Sequence, residues 1–200
     1  MKKVLITLVV LFSILTFSYS QSVVLTSGSI DFVKEAPVLQ FTFSYNEMLV
    51  GKLTESEYVN KKITDYNEKE AGKGDEWGKA WVNDRKERFE PKFLELFDKY
   101  MGEKGITSGT EGAIYVIEIN TDFTEPGWNV GVMRQNASVD LSCKVKKIDT
   151  GEQVASIKIR NASANNFWGT DFTAGYRVQE TYAKAGRELA KFFIKKAKLK

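Results

Sequence analysis

Residues 139–159, VDLSCKVKKIDTGEQVASIKI, decide the fold class of this chain. Apolar and polar side chains alternate over 139–146, which is the period-two pattern of a strand with one buried face. Asp149–Glu152 then form a short turn in which Gly151 is available for positive φ. Val154–Ile159 repeat the alternation. The stretch therefore predicts two antiparallel strands joined by a hairpin turn.

The alternation of the first strand places Cys143 on its buried face, where it acts as a small hydrophobic side chain. A reactive thiol would instead need exposure and a cationic neighbour or a helix N-terminus. The opposite face carries Asp140, Ser142, Lys144 and Lys146, and we expect that face of the sheet to be wet. A single cysteine also excludes an intramolecular disulfide.

Helical patterns lie on both sides of this hairpin in the sequence. Residues 54–69 begin with Thr-Glu-Ser-Glu, the form of a capping box. Over 75–102, aromatic side chains recur at mostly helical spacing, and Pro91 is expected to kink or split that helix. The last helix, residues 174–197, has an apolar stripe opposite lysines and arginines.

Two further strands complete the predicted sheet. Val38–Tyr45 show aromatic alternation, and Ala113–Ile119 are apolar on both faces at first, as in a central strand. Residues 22–36 are polar and irregular, with at most a short strand. The order β-α-α-β-β-β-α predicts an α+β fold, an α/β two-layer sandwich. Its four-stranded sheet would be mixed or antiparallel, with helices packed on one face.

Residues 1–20 have the pattern of a secretory signal peptide, which leaves 21–200 as a single α/β domain. Two lysines precede the apolar run Val4–Phe17, and Ser18-Tyr19-Ser20 supply small residues for cleavage before Gln21. The run is shorter than the roughly 20 residues that span a bilayer. We expect a periplasmic or secreted protein, without a transmembrane segment in the mature chain and without a lipid-attachment cysteine.

The composition excludes several classes of function. The 200 residues hold 29 Lys or Arg and 26 Asp or Glu, for a net charge of +3 that falls to +1 without the leader. Near-neutral charge argues against a dedicated nucleic-acid-binding protein. The chain has no histidine, which removes Ser-His-Asp and Cys-His catalysis and the commonest metal ligand. We therefore expect no catalytic residues, no metal site and no cofactor.

The last sixty residues carry a resemblance to known envelope domains. It rests on the hairpin sequence Lys147–Glu152 and on the Ala/Gly-rich helix Tyr182–Ala190. These resemble the two-layer α/β domains of penicillin-binding-protein activator lipoproteins, the curli secretion channel subunit and the TolB amino-terminal domain. Gly127–Arg134 resemble a stretch of exported Bacteroidota proteins of unassigned activity. The resemblance implies a non-enzymatic adaptor, channel or activator.

Two loops, 122–129 and 165–171, combine carboxylates, amides and an aromatic side chain. If they converge, two tryptophans would stack on a sugar face while polar side chains bind its hydroxyl groups. The candidate ligand-binding residues are Asp122, Glu125, Trp128, Asn129, Asn166, Trp168 and Asp171.

Two other interpretations of these loops stay open. In the first, both tryptophans cover the ends of the core and Asp171 caps the last helix. In the second, Asp122 or Glu125 pairs with Asp171 to cleave a glycoside, which needs two carboxylates at a defined separation. We favour the first over a sugar site, and we do not expect an enzyme.

The sequence therefore predicts an exported non-catalytic envelope protein that acts as a binding or adaptor module. Its expected partner is another envelope component, a protein or a glycan. The alternative is a glycan- or small-ligand-binding module that uses the Trp128 and Trp168 loops.

Overall fold

The computed structural model describes residues 21–130, 133–164 and 174–200. Within these ranges the chain forms one sheet of eight strands and a separate two-stranded ribbon. The strands are β1 (Ser22–Gly28), β2 (Val38–Ser44), β3 (Leu49–Val50), β4 (Leu53–Thr54), β5 (Thr107–Ser108), β6 (Tyr115–Glu125), β7 (Trp128–Val130), β8 (Met133–Gln135), β9 (Ser138–Lys147) and β10 (Gln153–Ser163).

The sheet is mixed, with the strand order β1-β10-β9-β6-β2-β5. Strand β2 runs parallel to β5 and β6, whereas β6, β9, β10 and β1 form an antiparallel set. Strand β3 pairs with the end of β6, and β4 pairs with β3. The sheet is mixed, which is one of the two predicted forms, but the predicted number of four strands is wrong. Strands of two residues, such as β3, β4 and β5, are too short to produce an alternating pattern.

The helices follow the predicted segments closely. They are α1 (Phe32–Glu35), α2 (Glu55–Asn67), α3 (Lys73–Asp84), α4 (Glu90–Met101) and α5 (Ala174–Ala197). The capping box of α2 is formed, since Thr54 and Glu57 each bond the other's backbone N–H group. The predicted last helix, residues 174–197, is present with the same bounds as α5. In the region 22–36, the short strand expected at Val23–Leu25 is present as the longer β1, whereas α1 was not expected.

The long helix expected over 75–102 is divided, although Pro91 is not where it breaks. A π-helical turn, Arg85–Phe89, joins α3 to α4. Pro91 lies in the first turn of α4, two residues after the π-helical turn, so the carbonyl groups that its ring and missing N–H group face belong to that turn. The division separates the aromatic side chains of the segment into two clusters. Trp81 packs with Met48 and Val50, whereas Phe93 and Phe97 enter the main core.

The main core lies between the sheet and the helices α4 and α5, which cover one of its faces. Aromatic edges meet there: the ring centroid of Phe41 lies 4.8 Å from that of Phe97 and 5.9 Å from that of Phe93. The fully buried side chains of this layer include Leu39, Ile117, Ile119, Leu141, Ile157, Ile159, Phe93, Phe97, Leu189 and Phe193.

The hairpin of β9 and β10 forms as expected, with Gly151 at φ +70° in its turn. Cys143 is buried and pairs across the ladder with Ile157. Burial raises the pKa of its thiol to about 12, so the thiol is protonated at neutral pH. Lys144 on the other face is exposed. The prediction of one buried and one open face is therefore confirmed for this hairpin.

Helices α4 and α5 pack closely because Gly186 has no side chain. A Cβ atom at Gly186 would lie 2.2 Å from the carbonyl oxygen of Phe93, a backbone atom that cannot turn away. Phe93 is itself fully buried against the sheet. This approach fixes the distance between the two helices and therefore their fit to the sheet.

We predict that Gly186→Ala lowers the free energy of unfolding by about 3 kcal/mol, because the two helix backbones must separate. Gly102→Ala is the matched control, since that residue ends α4 with helical dihedral angles and has open space around it. Urea unfolding of both variants measures the difference. Equal midpoints for the two variants would contradict the close packing of α4 on α5.

Candidate binding site at the hairpin end of the sheet

Strands β6 and β9 continue into β7 and β8 as one long antiparallel hairpin. Residues 122–129 are therefore not the loop that the sequence suggested: Asp122 and Glu125 lie in β6, and Trp128 and Asn129 lie in β7. Residues 126–127 separate β6 from β7, and residues 136–137 separate β8 from β9. The strand extends this far because β9 supplies a partner as far as the end of β6, where Glu125 faces Ser138.

The break at Gly127 is held by bonds from two other elements. Its φ is +67°, and a Cβ atom there would lie 2.6 Å from the carbonyl oxygen of Gln135. The carboxylate of Glu125 accepts the N–H group of Gly127 at 3.0 Å. From α5, the guanidinium of Arg177 donates to the carbonyl oxygens of Pro126 and Gly127 at 2.8 and 3.0 Å. Glu125 therefore stabilises the turn.

Trp128 stands out from this braced turn. Its side chain is 42% exposed, and its indole Nε1 donates to Oε1 of Gln135 at 3.0 Å. The hydrogen bond satisfies the polar edge of the ring and fixes its orientation while part of its surface stays in water. This geometry suits contact with a partner, and it does not cover an end of the core as one interpretation held.

Asp122 lies on the open face of the sheet and is already bonded. Its carboxylate accepts from Nδ2 of Asn120 at 3.0 Å and from the hydroxyl group of Ser142. Asn120 in turn accepts the hydroxyl of Ser44 at 2.9 Å. These residues tie β2, β6 and β9 together across the open face, so Asp122 is part of a polar network of the sheet.

Two other exposed apolar side chains lie at this end of the molecule. Leu49, 46% exposed, pairs with β6 just before the turn, and the N–H group of Gly51 donates to the carbonyl of Thr124 at 2.9 Å. Tyr176, 50% exposed, precedes Arg177 in α5. We call Leu49, Trp128 and Tyr176 the hairpin rim.

Three of the predicted ligand-binding residues, Asn166, Trp168 and Asp171, lie outside the described residues, as does the side chain of Asn129. The described ends of that segment can be placed. The N–H group of Ala164 donates to the carbonyl of Ala137 at 3.2 Å, beside the hairpin, and α5 reaches the turn through Arg177. The convergence of the two tryptophans stays a prediction.

A buried polar group behind the rim was missed at the sequence level. The hydroxyl groups of Tyr182 in α5 and Thr121 in β6 lie 2.6 Å apart, and that of Tyr45 donates to Glu90 at 3.4 Å. Burial raises the pKa of both tyrosines, so they are neutral hydrogen-bonding groups at physiological pH. Tyr45 and Tyr182 both lie in apolar stripes of the sequence, where the pattern does not distinguish a hydrogen-bonding tyrosine from an ordinary core residue.

The described residues hold neither a cluster of metal ligands nor a membrane-spanning helix. Across 21–130, 133–164 and 174–200, no three side chains of the types that ligate metals through Asp, Glu, Cys or His converge on one point. In that part of the chain, no helix is both long enough and apolar enough to cross a membrane.

Among known proteins, similarity to this chain is found with solved structures. No protein-family model and no curated protein matches the chain. The PelC dodecamer of Paraburkholderia phytofirmans matches 82% of this chain and 97% of its own, at 11% identity and a TM-score of 0.35. A neuraminyllactose-binding hemagglutinin homolog of Helicobacter pylori matches 79% of this chain and 81% of its own, at 11% identity and a TM-score of 0.33. These scores are too low to support a conclusion on function.

Proposed function

We propose that this chain is an exported, non-catalytic binding protein that docks another protein of the cell envelope through the hairpin rim. The observation that carries the proposal is the exposure of Leu49, Trp128 and Tyr176 on elements that meet at one braced turn. Exposed apolar side chains that are grouped in this way mark interaction surfaces more often than scattered ones do. The leader-like residues 1–20 and the resemblance to envelope adaptors support export.

The rim is suited to protein binding because it loses little conformational entropy when a partner docks. Arg177 and Glu125 fix the turn, and Gln135 fixes the indole of Trp128. A preorganised tryptophan is a frequent binding hot spot, since it buries a large area with few rotatable bonds. The cation of Arg88 lies over the ring of Tyr176, 4.2 Å from its centroid, and orders that side chain as well.

We predict that a photo-crosslinking amino acid at position 128 or 176 gives a discrete protein adduct in the native host. Position 148 is the control, because Ile148 is 45% exposed at the opposite end of the β9 strand. Electrophoresis and mass spectrometry resolve the adducts. Adducts at positions 128 and 176 but not at 148 would support the hairpin rim as the docking surface. Absence of adducts at both rim positions, or the same adducts at 148, would overturn it.

A glycan-binding module that uses Trp128 and Trp168 is the second candidate. Two contacts favour it. Ala164 donates to the carbonyl of Ala137, and Arg177 donates to the carbonyl of Pro126 in the β6–β7 turn. The described residues on either side of 165–173 therefore lie near the turn that precedes Trp128. Under this proposal Asp122, Asn129, Asn166 and Asp171 would supply polar contacts with the sugar.

For the glycan module we predict that an envelope saccharide changes the tryptophan fluorescence of the purified protein. Trp128→Ala combined with Trp168→Ala should abolish the change and leave folding intact. Trp77→Phe is the control, since Trp77 stacks on Trp81 at 5.5 Å in the second cluster, away from the hairpin turn. If no envelope saccharide perturbs the fluorescence, or if the double variant responds like the parent protein, the glycan candidate is rejected.

A further inference from the structure

The open face of the sheet carries a line of cations on two neighbouring strands, β9 and β10. Lys144 and Lys146 lie on β9, and Lys158 and Arg160 lie on β10. Same-face neighbours along a strand or diagonally across two strands are about 7 Å apart. The four cations therefore cross the face in steps of similar length. Because Cys143 and Ile157 on the other face are buried, the strands that hold them are rigidly packed.

Three of these cations have no partner in the described part of the chain. Lys144, Lys158 and Arg160 are exposed and make no ion pair or hydrogen bond there. Lys146 pairs with Glu118 at 2.8 Å. Three of the four cations of the line are thus unneutralised, on strands whose other face is buried.

The carboxylates on this face are already bonded to other groups. Glu118 holds Lys146, and Asp122 accepts from Ser142 and Asn120. The carboxylate of Asp140 accepts the backbone N–H group of residue 161 at 2.6 Å, next to Arg160. These bonds occupy the three carboxylates, and none of them pairs with Lys144, Lys158 or Arg160.

The residues opposite the lysines indicate which anion fits. In the register of β9 and β10, Lys144 faces Ser156 and Lys158 faces Ser142. Within β9 and β10, ammonium and hydroxyl groups therefore face each other, while Glu118 of β6 lies opposite Lys144 and Val24 of β1 lies opposite Lys158. A polymer that alternates carboxylates with hydroxyl groups matches both kinds of side chain by charge and by hydrogen bonding.

We infer that the open face at β9 and β10 binds an acidic polysaccharide through Lys144, Lys158 and Arg160. This surface is separate from the hairpin rim, and the inference does not depend on the proposed function. Single-stranded nucleic acid binds less well, because its recognition needs aromatic side chains for base stacking and β9 and β10 present none on this face. An anionic membrane is disfavoured too, because membrane binding also needs a substantial apolar surface that enters the lipid. Among the described residues beside the line of cations, Val24 supplies the exposed large apolar side chain.

The test is binding of the exported protein to polygalacturonate, with fully methyl-esterified polygalacturonate as the uncharged polymer of the same backbone. We expect binding to the acidic polymer alone, weakened by added salt. Lys144→Gln combined with Lys158→Gln should weaken it by about tenfold or more, because two unpaired cations of the line are removed. Trp128→Ala should leave it unchanged, which separates this surface from the hairpin rim.

Lys195→Gln combined with Lys198→Gln is the control, because it removes the same charge from exposed positions near the end of the chain. Equal losses in the two double variants would show a net-charge effect and overturn the site. Equal binding to the esterified polymer would overturn it as well. Tighter binding to phosphatidylglycerol vesicles or to polyuridylate than to polygalacturonate would assign the cations to another partner class and reject the polysaccharide.

Discussion

The close approach of α5 to α4 at Gly186 sets the geometry on which the rest of the structure depends. It lets two helices cover one face of the sheet with the aromatic side chains of Phe93 and Phe193. Because the helices of the described residues cover β6, β9 and β10 on that side, successive residues of these strands have opposite environments. Cys143 is buried and inert, while its neighbour Lys144 is in water.

The same packing positions the hairpin rim. Helix α5 begins beside the β6–β7 turn, where Arg177 in its first turn donates to the carbonyl oxygens of Pro126 and Gly127. The helix that fills the core therefore also braces the surface from which Trp128 projects. Fold stability and the presentation of this side chain are coupled, since a shift of α5 would move both.

Strong periodic patterns made much of the fold predictable from sequence. The β9–β10 hairpin, α2 with its capping box and the bounds of α5 follow from alternation, helical spacing and Thr54. The site was less predictable. Asp122 and Glu125 suggest a loop because Pro126 and Gly127 follow, yet pairing with β9 extends the strand β6 as far as Glu125. Strands of two residues and the π-helical turn leave no pattern, because tertiary contacts determine them.

Thiol labelling on β9 tests the one-sided cover of the sheet most directly. Native Cys143 is the buried probe, and Lys144→Cys combined with Cys143→Ala places a single thiol on the adjacent open position. At pH 7.5 the account predicts rapid maleimide labelling of position 144 and, for native Cys143, labelling slower by about a hundredfold or more, since it must await local unfolding. Similar labelling rates at the two positions in the folded protein would contradict it.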